Sequence, residues 1–139
     1  MIAEIPIPIY DGTLIFTDEK VSRAFAFIRR RHNIDIRCTP EEADGMTLSV
    51  GKLMWVVRIP DLVKVPSVHA LRTMVHEAGH VVRSLSEQVG IEDEEAFCYA
   101  LDWIYGEMLN VYFPYAKKTL DEMEKKKKNV KRKRLKREN

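Results

Sequence analysis

Three residues within five positions, His76, Glu77 and His80, carry the chemistry around which this chain is best read. On a helix, side chains four residues apart lie one turn apart on the same face, so the two imidazoles can reach a single zinc ion. Glu77 then projects toward the same cavity without being a ligand, where a carboxylate can take a proton from a metal-bound water. The flanking Met74, Val75, Ala78, Gly79, Val81 and Val82 are uncharged, as in a helix packed inside a protein. The competing interpretation is a buried helix whose histidines are satisfied by hydrogen bonds.

A catalytic zinc site needs a third protein ligand. No histidine follows His80, which leaves a downstream carboxylate, and Glu92, Asp93, Glu94 and Glu95 all compete for the place. Glu95 is the choice because Ala96, Tyr99, Ala100 and Trp103 suggest that its side of the next helix turns toward the core; Glu94 is the reserve. A donor for a tetrahedral oxyanion is also required, and Tyr99, His69 and Tyr105 are candidates for that role or for substrate contact. His69 stands seven residues before His76, two turns along nearly the same face.

The elements that must position these groups follow from the pattern. Pro66-Ser67 opens the metal helix, expected from Ser67 or Val68 to about Gln88 and ending near Gly90. A second helix is expected from Glu92 or Asp93, with acidic residues in its first turn, until Pro114 stops it. Upstream, Ile5 to Ile9 alternates isoleucine with proline, Asp11-Gly12 marks a turn, and Thr13 to Phe16 is a strand candidate. Asp18 is read as the cap of a helix running to about Arg31, with Val21, Ala24, Phe25 and Ile28 at helical spacing. Its last residues, Arg29 to His32, place positive charge where the helix dipole favours it. Cys38 to Gly45 is turn-like, and Met46 to Val50 and Leu53 to Ile59 form a hairpin about Gly51-Lys52. An edge strand just ahead of a metal helix can pair with an extended peptide.

A chain of 139 residues has room for one domain with a real core. Its formal charge of +2 conceals an asymmetry: residues 1–116 hold 11 basic and 17 acidic side chains, residues 117–139 hold 12 and 4. The expected organisation is a domain over 1–116 followed by a basic, mobile tail over 117–139. Two cysteines, Cys38 and Cys98, form no Cys-x-x-Cys pair and read as free thiols. With no secretory signal and no apolar run of membrane-spanning length, the expectation is a soluble protein of the cytoplasm.

His76-Glu-Ala-Gly-His80, followed after a short acidic loop by Glu95-Ala96-Phe97-Cys98-Tyr99-Ala100-Leu101, resembles the ImmA/IrrE-like metallopeptidases and the small phage-encoded zinc metallopeptidase-like proteins. The likeness covers about Leu53 to Tyr105, includes the Trp55-Val56-Val57 strand, and does not extend to the basic tail; Cys98 stands where the family pattern usually shows alanine. It implies a zincin-like α+β domain, a small antiparallel sheet or hairpin packed on the active-site helix and a second metal-ligand helix. It also implies that Glu95 completes a zinc site with His76 and His80. The expected function is zinc-dependent hydrolysis of peptide bonds, with Glu77 as general base, in a phage or host protein such as a repressor. The alternative is a catalytically inactive interaction protein of the same fold that uses its tail to bind nucleic acid or an acidic partner. Lys127, Lys128, Lys131, Arg132, Lys133 and Arg134 could then neutralise phosphates, without aromatic residues to stack on bases.

Overall fold

A computed structural model describes residues 1–37, 45–65 and 67–135 of the chain. Of the turn expected at Cys38 to Gly45, all but Gly45 lies outside the described residues, as does the opening Pro66. Strand β1 (Ile2–Ile7) pairs antiparallel with β2 (Gly12–Thr17) through a short 3₁₀ turn at Pro8–Tyr10. Helix α1 (Val21–His32) follows, then the hairpin of β3 (Met46–Gly51) and β4 (Met54–Arg58). Helices α2 (Ser67–Val89) and α3 (Glu94–Leu135) complete an α+β fold that, among the described residues, has one four-stranded sheet and three α-helices.

The sheet order is β1-β2-β4-β3, and β2 pairs with β4 in parallel. A small antiparallel sheet was the expectation; the parallel pair arises because α1 carries the chain across the sheet before the second hairpin begins. Strand alternation then divides the interior in two. Leu14, Phe16, Trp55 and Val57 face α2 and α3, where they meet Met74, Val81, Leu85, Ile104 and Met108. Ile15, Met54 and Val56 face the other way and pack on Val21, Ala24, Phe25 and Ile28 of α1. Burying both faces accounts for the near-continuous apolar character of β2 and β4.

Helix ends follow local chemistry. Gly90, at φ 75°, closes α2 by donating its backbone N–H to Ser86 O at 2.8 Å, and Ile91 donates to the same carbonyl. Asp93 caps α3 by accepting the Ala96 N–H at 2.8 Å. Asp18, by contrast, does not cap α1, whose N-cap is Lys20 without a side-chain hydrogen bond. The Asp18 carboxylate instead accepts the Tyr115 hydroxyl at 2.6 Å. That bond, with burial adding to it, pushes the Tyr115 phenol up to about 12.

The largest departure is α3, which runs through Pro114 instead of stopping there. Proline removes one helical N–H and crowds the preceding turn, at a cost of about 3 kcal/mol in a helix interior. Here the ring sits on the exposed side, and so does Asn110, whose carbonyl loses its partner. On the opposite side Tyr112 and Ala116 are buried, and the Tyr115 bond to Asp18 holds the following turn in place. Tertiary packing on both sides of the proline thus offsets its local penalty. Residues 117–135 of the expected basic tail continue this helix.

Candidate functional site

Helix α2 buries Ala70, Met74, Glu77, Ala78, Val81, Val82 and Leu85, a stripe at helical spacing whose only charged member is Glu77. His76 and His80 flank that stripe on the exposed side. Their Nε2 atoms are 3.1 Å apart and their rings stand edge to face at 84°. Two nitrogens on a tetrahedral zinc with bonds of about 2.0–2.1 Å would be separated by roughly 3.3 Å. The pair therefore fits two corners of such a site with little adjustment, and without metal the same separation suits an N–H···N bond between the rings.

Glu77 is 4% exposed and lies against the outer strand of the sheet. Thr47 on β3 donates its hydroxyl to Glu77 Oε2 at 2.6 Å and also lies 3.2 Å from the Glu77 backbone oxygen. One carboxylate oxygen is thereby oriented, and Oε1 points toward Gly45. A Cβ at Gly45 would come within 2.7 Å of that oxygen and 2.9 Å of Thr73 Cγ2, so only glycine leaves the space open. Further along α2, Ser84 accepts the Trp55 indole N–H at 2.9 Å and Gln88 Oε1 accepts the Leu53 N–H at 2.9 Å. Glu77, Ser84 and Gln88 follow one face of the helix, and all three fasten it to the β3–β4 hairpin.

A cavity of about 400 Å³ opens here, lined by Gly45, Met46, Thr47, Ser49, Trp55, His76, Glu77, His80 and Ser84. The hydroxyls of Thr47, Ser49 and Ser84 were not singled out from the sequence. Their signal was present in β3, where Thr47 and Ser49 alternate with Met46, Leu48 and Val50. Paired across the ladder with Val57 and Trp55, the polar pair lies on the same face as they do, toward α2, and the apolar residues pack toward α1.

Glu95 is not brought to the histidines. It lies in the first turn of α3, exposed, and accepts the Tyr99 hydroxyl at 3.2 Å. The buried line of α3 is Ile104, Met108, Tyr112 and Ala116. Nine positions separate Glu95 from Ile104, which at about 100° per residue sets them on opposite faces of the helix. Of Ala96, Tyr99, Ala100 and Trp103, Ala100 packs partly buried against the core, and all four line an apolar cavity of about 490 Å³ with Ile7 to Tyr10 and Leu85. Tyr99 is 68% exposed there. Leu85 is itself turned about 140° around α2 from His80, which puts the start of α3 and the histidine pair on different sides of that helix. Glu94 is likewise exposed. Among the described residues, no group of three His, Cys, Asp or Glu side chains is placed to hold a metal ion.

The remaining candidates are also dispersed. His69 is exposed, about 10 Å along the helix axis from His76, and its backbone oxygen accepts the Thr73 hydroxyl. Neither His69, Tyr99 nor Tyr105 lines the histidine cavity. Cys98 is a free, exposed thiol. Lys127, Lys128, Lys131 and Arg132 are exposed on the far end of α3; the side chains of Lys133 and Arg134 lie outside the described ones. Among the described residues no helix is long and apolar enough to cross a membrane. No family model, curated protein or solved structure matches the chain.

Proposed function

We propose that the chain is a zinc-dependent peptidase on a zincin-like scaffold, with His76 and His80 as metal ligands and Glu77 as general base. The observation that carries this reading is the 3.1 Å approach of the two Nε2 atoms, with the buried Glu77 carboxylate one residue along and opening into the same cavity. A zinc ion at such a site supplies Lewis acidity and lowers the pKa of water to about 7. Catalytic zinc sites as a rule carry three protein ligands. The arrangement described gathers two, so Glu95 enters the reading only as a residue to be tested.

Glu77 does the proton work. Thr47 holds Oε2, which leaves Oε1 to accept a proton from an attacking water and return it to the leaving amine. Strand β3 supports a peptide as substrate, since among the described residues it pairs only with β4, and its Met46, Thr47 and Ser49 line the cavity. An extended segment could add there as a further strand, its backbone passing beside Glu77. The test is Glu77→Gln in zinc-loaded protein, assayed on an unstructured polypeptide. Cleavage is expected to disappear with zinc content unchanged, and turnover retained in that variant rejects Glu77 as the base.

A further inference from the structure

Ala116 is the last buried residue of α3 among the described ones, Thr119 and Met123 still border a cavity with Met1 and Asp18, and past them the helix leaves the body of the protein. Thr119 is half-buried, and every residue from Leu120 to Arg132 is exposed. The stretch from Leu120 to Leu135 extends roughly 22 Å at 1.5 Å per residue. Lys125, Lys126, Lys127, Lys128, Lys131 and Arg132 take six of eight consecutive positions, and no acidic residue falls among the eight. At about 100° per residue their side chains leave the helix in every direction, with no arc wider than about 100° free of a cation. No ion pair or hydrogen bond within the described residues holds any of the six. Like charges meet at four-residue spacing, Lys127 with Lys131 and Lys128 with Arg132, which weakens the helix unless an anion lies between them.

We infer that this projecting arm is a docking element for duplex DNA, bound through its phosphates and without preference for sequence. Charge geometry selects the partner. A membrane or an acidic protein patch would be met by cations on one side, with an apolar stripe among them for the membrane; here the exposed Leu120 and Met123 stand ahead of the six cations and Val130 alone stands between them. A helix in the major groove of B-DNA has phosphates on both flanks, which suits cations around the whole circumference. The groove is about 12 Å wide and admits a helix, whereas the deep, narrow major groove of A-form RNA does not. Six cations over about 12 Å of helix also approach the duplex density of one charge per roughly 1.7 Å. No aromatic residue interleaves with them, so single-strand stacking is not served. The body, with 11 basic and 17 acidic residues over 1–116, is repelled by the same polyanion, and contact falls to the arm.

The test uses the full chain and a labelled 20-base-pair DNA of arbitrary sequence, read by fluorescence anisotropy. Six phosphate contacts predict a log–log salt slope of about −5, so affinity should fall roughly a thousand-fold between 50 and 200 mM salt. A variant with all six cations changed to glutamine should bind at least 100-fold more weakly with the same thermal midpoint. A slope shallower than about −2 in the unaltered protein overturns the inference, and this arm needs no variant to fold. Undiminished binding by the glutamine variant overturns it as well. So does tighter binding to duplex RNA of the same sequence or to anionic phosphatidylserine vesicles.

Discussion

Thr47→Val isolates the contact that orients the candidate base. The substitution replaces a hydroxyl by a methyl of similar size. It removes the 2.6 Å donor to Glu77 Oε2 and leaves a carboxylate that is only 4% exposed short of that partner. Hydrogen bonds to charged groups contribute about 1.5–3 kcal/mol, and the half-buried position of Thr47 brings the expectation to about 1–2 kcal/mol. With a urea m-value of about 2 kcal/mol/M, the midpoint should move down by roughly 0.5–1 M. Valine also changes the hydration and β-propensity of the strand, so a double-mutant cycle with Glu77→Leu is needed to extract the pair term. A coupling energy of about 1–2 kcal/mol is expected. A value below about 0.5 kcal/mol would falsify the claim that Thr47 holds the carboxylate, whatever the single variants do.

Three further outcomes follow from the geometry. His76→Ala or His80→Ala should abolish zinc uptake measured by metal analysis, whereas Glu95→Ala should leave the stoichiometry unchanged; loss of zinc in the glutamate variant would mean that the first turn of α3 moves to the histidines when metal binds. Gly45→Ala forces a Cβ against Glu77 Oε1 and Thr73 Cγ2 and should destabilise by about 1–3 kcal/mol, seen as a lower thermal midpoint, and an unchanged midpoint would show that the strand yields freely. The raised phenol of Tyr115 keeps its proton in the folded state over a range where the unfolded chain loses it. Stability should therefore be intact below about pH 10 and decline toward about pH 12, and Tyr115→Phe should flatten the decline followed by chemical denaturation.

The parts of the fold written in local chemistry were legible. Gly90 stands past the last periodic residue of α2 as its type suggests, but both hairpin turns are displaced from their glycines: Gly12 opens β2 and Gly51 closes β3, and the turns fall at Pro8 to Asp11 and at Lys52-Leu53, with Asp11 and Leu53 at positive φ. The histidine pair was equally legible, because four-residue spacing needs only the helix to bring the rings together. What depended on distant partners was not. Pro114 reads as a stop until Tyr115 is seen bonded to Asp18, 97 positions away. The apolar run from Ala96 to Trp103 reads as a core face, yet Phe97, Ala100 and Leu101 reach the core only partly buried, the fully buried line starts at Ile104, and Glu95 goes to solvent with Glu94 and Tyr99. Thr47 and Gly45 look like ordinary strand and turn residues, and their importance comes from Glu77, about thirty positions downstream.

The sheet separates two interiors that share the strands β2 and β4, and adjacent residues of β4 answer to different masters. Trp55 secures α2 through Ser84, and Val56, its immediate neighbour, sees only the side closed by α1. Remodelling the α1 side, by exchanging Val56, Ile15 or Ile28 for other apolar residues, should alter how firmly the protein holds together and spare the spacing of the imidazoles. The same liberty does not extend one residue back along the strand, where a change would release the histidine helix from its mooring.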